Sequence, residues 1–230
     1  MRTHHVLTRS VMAMAVAAVW GAAAFAQTAA RPDFSGYWEL RLDGISAPPA
    51  TLSKAATDAT AAQARKDVEA LSRCTPIGMP AVMNDRSTLD IRQSPSVTAF
   101  VAKTQSSTRY VYTDGRSHPA KDELEPTTNG HSVGRWEGDT LVVDTIGFND
   151  RGLTRIPGGG YRTPAAHLTE RMRLLASGQL SVMFTWDDPG VFARPHSYEF
   201  RYVKVPTIVE PRINECFAND QDRAAFLLRQ

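Results

Sequence analysis

Between residues 90 and 205 the chain alternates polar and apolar residues with a period of two. This spacing is typical of β-strands with one buried face. The pattern predicts eight short strands in this region, with the sequences LDIRQ, SVTAFVAKT, TRYVYTD, HSVGRW, TLVVDTIGF, LTERMRLL, LSVMFTWDD and YEFRYVKV. Glycine-containing turn pairs separate several of them, at 114–115, 129–130, 138–139 and 177–178. Many short strands joined by such turns favour a mainly β domain, either an antiparallel barrel or a sandwich.

One earlier segment has the pattern of a helix. The sequence DFSGYWEL (33–40) predicts a short aromatic strand, and the prolines at 48–49 interrupt it. Ser53 can then cap a helix near 53–72. The apolar positions of this helix roughly follow one stripe, formed by Leu52, Ala56, Ala59, Val68 and Leu71. We therefore expect a single α-helix on the N-terminal side of the β domain.

The first 26 residues have the organisation of a secretory signal peptide. Arg2 and Arg9 precede an apolar run over 11–25, and Ala24-Phe25-Ala26 is a small-x-small cleavage site,. We expect cleavage after Ala26, which leaves residues 27–230 as one domain in the periplasm or outside the cell. A retained N-terminal anchor is the alternative. No later stretch approaches the ~20 apolar residues of a transmembrane helix.

The charge balance excludes some classes of partner. Removing the first 26 residues leaves 24 Lys plus Arg against 24 Asp plus Glu. A neutral mature chain without a block of basic residues does not favour binding to nucleic acid or to an anionic membrane. The expected partner is instead a small molecule.

Two cysteines, Cys74 and Cys216, are present in the mature chain. In an oxidising compartment an isolated pair most simply forms one disulfide. This bond would tie the segment after the helix to the C-terminal region. The alternative is a nucleophilic thiol, although no neighbouring residue marks either cysteine as activated.

The segment GHSVGRWEGDTLVVDTIGF (130–148) predicts a hairpin with an unusual carboxylate. If residues 138–139 form a two-residue loop, Val133 faces Asp144 and His131 faces Ile146,. His131 and Asp144 are then diagonal neighbours on one face, within reach of each other. An Asp–His pair fixes the imidazole tautomer and makes the other ring nitrogen a better base. The alternative is a solvent-facing ion pair on the outside of a barrel.

Other polar and aromatic side chains follow strands in positions that suit a binding site. Arg116 and His118 come just after a strand and a tight turn, where loops supply binding groups,. Arg116 could hold a carboxylate or a carbonyl oxygen, or it could bind backbone carbonyls of its own loop. Tyr112 lies on the preceding strand and either lines a pocket or packs in the core.

The segment HLTERMRLL supplies two further candidates. Glu170 shares one strand face with Met172 and Leu174, which makes it a candidate buried acid,. An edge residue that pairs with a neighbouring arginine is the alternative. His167 stands at the start of the same strand and can reach the mouth of a barrel. The predicted catalytic residues are therefore His131, Asp144 and Glu170, and the predicted substrate-binding residues are Arg116, His118, Tyr112 and His167.

The sequence contains no recognisable cofactor motif. The four mature histidines show no H-x-H or H-E-x-x-H spacing, so a metal would need a dispersed site, which stays open,. The glycines at 158–160 do not link a strand to a helix as a phosphate loop does. No serine occupies a G-x-S-x-G turn. We expect neither a metal nor an organic cofactor.

Several segments together resemble a known family. These segments are DFSGYW, CTPIGMP, RYVYTDGRSHP, GHSVGRWEGDTLVVDTIGF, HLTERMRL, DDPGVFARP and NECFAND, and they cover most of residues 33–219 in order. They are similar to successive blocks of a large, mostly uncharacterised family of secreted bacterial proteins. The resemblance implies a single antiparallel β-barrel of the lipocalin or calycin type, and Gly36-Tyr37-Trp38 resembles the lipocalin Gly-x-Trp strand.

These observations favour a periplasmic enzyme of the isomerase or lyase type. It would hold a small, largely apolar molecule in the barrel and move protons with its Asp, Glu and His side chains. A carrier that binds such a ligand without chemistry is the second hypothesis, and a structural envelope protein is the third. A dry apolar barrel would favour the carrier, whereas His, Asp, Glu and Arg converging at one mouth would favour the enzyme.

Overall fold

The alternating segments form nine strands that close into one barrel. A computed structural model describes residues 31–73, 75–84, 88–102 and 107–207. The strands are β1 (Gly36–Ser46), β2 (Thr88–Gln93), β3 (Val97–Val101), β4 (Thr108–Tyr112), β5 (His131–Glu137), β6 (Thr140–Ile146), β7 (His167–Leu174), β8 (Leu180–Asp187) and β9 (His196–Val205). Each predicted strand is present. The first is longer than predicted, because β1 continues to Ser46 through an irregularity between Leu40 and Ile45.

The strands follow one another around the barrel in chain order, and β1 pairs with β9 to close it. The expectation of a purely antiparallel barrel is wrong at one place, since β4 and β5 run parallel. Parallel neighbours need a crossover that returns the chain to the end where it started. Residues 113–130 form this crossover, and a hairpin turn cannot replace it. The barrel is therefore a mixed sheet.

The barrel interior is filled by large side chains. Phe184 stacks on Tyr198 with ring centroids 4.7 Å apart, and Phe200 lies 5.1 Å from Tyr198. Trp38, Trp186 and other aromatic residues are also fully buried. Such rings bury large apolar areas, and each close pair adds about 0.5–1.5 kcal/mol beyond that burial. The packed interior is the main hydrophobic core of the domain.

The helix α1 (Lys54–Ser72) lies beside the barrel and begins where the sequence predicts. Ser53 caps it, because the Ser53 hydroxyl accepts a hydrogen bond from the Ala56 backbone N–H at 3.1 Å,. The buried face contains Ala56 and Asp67. The prediction that Val68 lies on this buried face is wrong, since 67% of its surface is exposed. The helix therefore docks through small and polar residues more than through an apolar stripe.

The buried side chain of Arg162 holds several loops of the barrel together. The Arg162 guanidinium donates hydrogen bonds to the backbone carbonyls of Met79, Thr128, Asn149 and Arg151. Burial lowers the pKa of Arg162 to about 10, so it still carries its charge at neutral pH. One side chain thus joins three loops that are distant in sequence.

Two predictions fall outside the described residues. These are the signal peptide at 1–26 and the bond between Cys74 and Cys216. No helix in the described part of the chain is both long and apolar enough to cross a membrane.

Candidate functional site

The predicted register of the β5–β6 hairpin is confirmed. Val133 pairs with Asp144, and His131 pairs with Ile146. Neighbouring residues on a strand point to opposite faces, and Ser132 and Thr145 are the fully buried, inward-pointing ones. His131 and Asp144 therefore lie on the outer face of the barrel, and the expectation that they lie inside it is wrong.

Three histidines and one aspartate form a continuous chain of hydrogen bonds on this outer face. The Asp144 carboxylate binds His118 Nε2 through Oδ1 at 2.9 Å and His167 Nε2 through Oδ2 at 2.7 Å. His118 Nδ1 lies 2.8 Å from His131 Nδ1. The predicted direct contact between Asp144 and His131 is thus replaced by an indirect one, because His118 lies between them. We call these four residues the outer histidine cluster.

The crossover between β4 and β5 brings His118 to the cluster. It passes over the outer face of β5 and β6 and returns to the barrel through Gly130. This glycine has φ of +68°, and a Cβ on it would lie 2.7 Å from the Ile146 carbonyl oxygen. Only glycine fits so close an approach with this backbone conformation. The same crossover therefore makes β4 and β5 parallel and brings His118 next to Asp144.

Arg116 and Tyr112 extend the cluster at one side. The Arg116 guanidinium lies over the Tyr112 ring at 4.1 Å from its centroid, and Tyr112 stacks on His131 at 5.5 Å. Arg116 also pairs with Asp114, whose pKa is lowered by hydrogen bonds from the Arg116 side chain and backbone. This stack holds the cation beside the imidazole. Tyr112 is a site neighbour rather than part of the barrel core.

Within the outer histidine cluster, His131 and Asp144 have altered pKa values. The pKa of His131 is lowered from 6.5 by burial, by the nearby His118 and by the Arg116 charge. His131 is therefore neutral at neutral pH. Burial raises the pKa of Asp144, but hydrogen bonds from His167 and His118 together lower it by more. The pKa of Asp144 therefore lies below its usual 3.8. Asp144 is therefore an ionised carboxylate.

These charges fix where the protons are. An ionised carboxylate only accepts hydrogen bonds, so both Nε2 atoms that contact Asp144 carry a proton,. A His118 ring with its proton on Nε2 has Nδ1 as an acceptor, and this tautomer suits a hydrogen bond from His131 Nδ1–H,. His131 Nε2 keeps a free lone pair. The cluster can accept a proton at that nitrogen and at His167 Nδ1.

Glu170 does not belong to the outer histidine cluster, in contrast to the prediction that groups it with His131 and Asp144. Its carboxylate points into the barrel and forms a two-pronged ion pair with Arg109. The two side chains are 0% and 1% exposed. Ser132 and Thr145 accept further hydrogen bonds from Arg109. The predicted burial of Glu170 is confirmed, and the alternative of an edge residue is wrong, although the partner of Glu170 is an arginine.

Arg109 is the residue that the sequence interpretation missed. In the segment TRYVYTD it shares a face with Val111, whereas Tyr110 and Tyr112 are on the other face. An arginine in phase with an inward-pointing valine is a signal for a buried charge, which requires a carboxylate partner. The period-two pattern contained this signal.

The fourth histidine that the structure describes, His196, lies apart from the cluster. His196 is buried against Phe192, and its Nε2 lies 2.7 Å from the Pro157 carbonyl oxygen. In the described ranges no group of three or more His, Cys, Asp or Glu side chains is arranged to hold a metal ion. Six of the seven predicted catalytic and substrate-binding residues nevertheless lie together, and only Glu170 is elsewhere.

Comparison with known proteins does not extend this picture. No protein-family model and no curated protein matches the chain.

Proposed function

We propose that this chain is an exported acid–base enzyme of the isomerase or lyase class, with the outer histidine cluster as its active site. The observation that supports the proposal is the unbroken chain His131–His118–Asp144–His167. A charge relay of this kind needs a neutral terminal base and a charged carboxylate behind it, and the pKa directions of His131 and Asp144 favour both,. The lipocalin-like barrel is, in this proposal, a rigid scaffold.

The proposed chemistry is removal and return of a proton on a small molecule. His131 Nε2 would take a proton from a carbon next to an electron-withdrawing group. The resulting imidazolium is stabilised through His118 by the Asp144 charge, since hydrogen bonds to charged groups are the strong ones. His167 Nδ1 would exchange a proton at a second position, because 45% of that side chain is exposed. Arg116 would hold the oxygen on which negative charge develops.

The packing inside the barrel favours this proposal over a carrier. A lipocalin-like carrier needs an open apolar interior, whereas here aromatic rings fill the interior around the Arg109–Glu170 pair,. A ligand in the barrel would have to displace these side chains. The outer face, by contrast, presents a half-buried polar site that needs no rearrangement.

The test uses solvent deuterium. Purified mature protein is incubated in heavy water with a metabolite extract, and mass spectrometry identifies compounds that gain one mass unit. An acid–base enzyme exchanges a carbon-bound proton with solvent, so wild type should label one small molecule or a related set. His131→Asn and Asp144→Asn should each slow labelling at least about 100-fold, the typical contribution of general acid–base catalysis. Arg173→Gln, on β7 but outside the cluster, serves as the matched control.

The possible outcomes separate the hypotheses. Equal labelling by all the folded variants would contradict the proposed site. Retention of a compound without labelling would support the carrier instead. If wild type neither labels nor retains any compound, the structural envelope hypothesis would be favoured.

A further inference from the structure

A second concave surface lies between α1 and the loop that joins β6 to β7. It is a groove of about 660 Å³. Its apolar lining includes Ile45, Leu153 and the largely exposed Val68, and the buried Ile156 and Phe200 lie beneath them. Ligand sites of small molecules typically occupy roughly 300–1,000 Å³ and have mainly apolar walls. The groove shares no residue with the outer histidine cluster, so it needs a separate explanation.

The groove also contains a cation on a fixed support. The Arg155 backbone N–H donates to Asp67 Oδ2 at 3.2 Å, and Arg155 pairs with Tyr161 in an isolated β-bridge. The Pro157 carbonyl is held by His196 and the Gly158 carbonyl by Ala50. The loop is therefore anchored at several points.

The side chain of Arg155 has no hydrogen-bond or ion-pair partner among the residues that the structure describes. The Asp67 carboxylate also lines the groove, and its oxygens are occupied by hydrogen bonds from Thr154, Gln63 and the Arg155 backbone. The groove thus offers an unpaired guanidinium beside apolar walls. A guanidinium recognises a carboxylate through two parallel hydrogen bonds.

We propose that this groove is a second binding site, and that its ligand is a small amphipathic carboxylate with an unbranched apolar chain. The carboxylate binds Arg155, and the chain lies along the half-buried side chains of Ile45 and Leu153. Val68, which is largely exposed on α1, covers the chain from the other side. Burial of the exposed apolar walls drives binding, and Arg155 selects the charge.

The test uses calorimetric titration of the full mature chain with decanoate. Decyltrimethylammonium, with the opposite charge, and acetate, without the chain, are the matched probes. Decanoate should bind with one site per chain. Decyltrimethylammonium should bind at least about tenfold more weakly because it cannot accept hydrogen bonds from Arg155, and acetate because it has no apolar chain to bury. Arg155→Gln should weaken decanoate binding by a similar factor.

Two further variants keep the test independent of folding. Val68→Glu changes an exposed side chain, so it should leave the thermal midpoint unchanged while abolishing decanoate binding. Arg173→Gln should change neither. Equal binding of decanoate and decyltrimethylammonium would overturn the proposal, as would binding that Val68→Glu leaves intact. Binding that appears only after residues 208–230 are removed would also overturn it, because the groove would then belong to the chain's own C-terminal segment.

Discussion

Glu170→Gln should be among the most destabilising single substitutions in this protein. The change keeps the size of the side chain but removes its charge, and it leaves the Arg109 guanidinium buried without a counter-ion. Breaking a buried ion pair on one side costs about 3–5 kcal/mol. For a domain of roughly 200 residues, each kcal/mol lowers the thermal midpoint by about 2–4 °C. The expected decrease is therefore about 6–20 °C.

Urea denaturation followed by circular dichroism measures this effect, and the chain offers a matched control. Glu137 also pairs with arginines, Arg135 and Arg171, but its side chain is 40% exposed. Solvent screens such surface pairs, which contribute about 0–1 kcal/mol. Glu137→Gln should therefore change the free energy of unfolding by less than about 1 kcal/mol. Because both variants replace Glu with Gln, a difference between their free energies of unfolding reflects the burial of the ion pair.

The double variant Arg109→Met/Glu170→Met tests the reasoning from the other direction. It removes both charges, so no uncompensated ion remains in the core, and apolar replacements of buried pairs are often neutral. It should be more stable than Glu170→Gln alone. The reasoning would be refuted if Glu170→Gln unfolded at the urea concentration of wild type, or if the double variant were the less stable of the two. A stable Glu170→Gln that loses activity would restore Glu170 as a catalytic acid.

Three further predictions concern the outer face and the chain ends. Because folding lowers the pKa of His131 from 6.5, its contribution to stability is complete above that pH and is lost as the pH falls below it,. His131→Gln should therefore flatten the stability profile below about pH 6.5, and an unchanged slope would contradict this. Asp144→Asn should alter the nitrogen-15 ring signals of His118 and His167, which touch the carboxylate, more than those of His131; unchanged rings would exclude the network. Intact-mass measurement of exported protein should show Gln27 as the first residue, and a full-length mass would contradict this,. Non-reduced peptide mapping should recover Cys74 linked to Cys216, and two alkylated thiols would contradict that bond,.

Local spacing was sufficient to predict the strands and the hairpin. The Gly138-Asp139 turn determines which residues of β5 and β6 face each other, and the observed register is the one this loop predicts,. The same argument could not predict the parallel pairing of β4 with β5. That pairing depends on the path of residues 113–130, which have no periodic pattern. Where a segment has no periodic pattern, tertiary contacts determine its path, and sequence spacing does not predict that path.

The location of His118 was missed for the same reason. In sequence it is only a loop residue after a turn, 13 positions before His131. Its place between His131 and Asp144 requires the crossover to lie on the barrel surface. Sequence spacing within the hairpin placed His131 and Asp144 correctly. His118, which joins them, comes from outside the hairpin.

The side of the barrel on which the cluster lies was ambiguous because both faces of this hairpin are apolar. The inward face contains Leu141 and Val143, but the outward face contains Val142, which is only 2% exposed. Val142 is flanked on the neighbouring strands by Arg135 and Arg171, and the aliphatic stems of arginines can cover apolar surface,. A second layer of side chains and crossover thus lies over this part of the barrel. That layer explains the partial burial of Asp144 and His131, and partial burial is what lowers the pKa of His131 enough to keep it a neutral base.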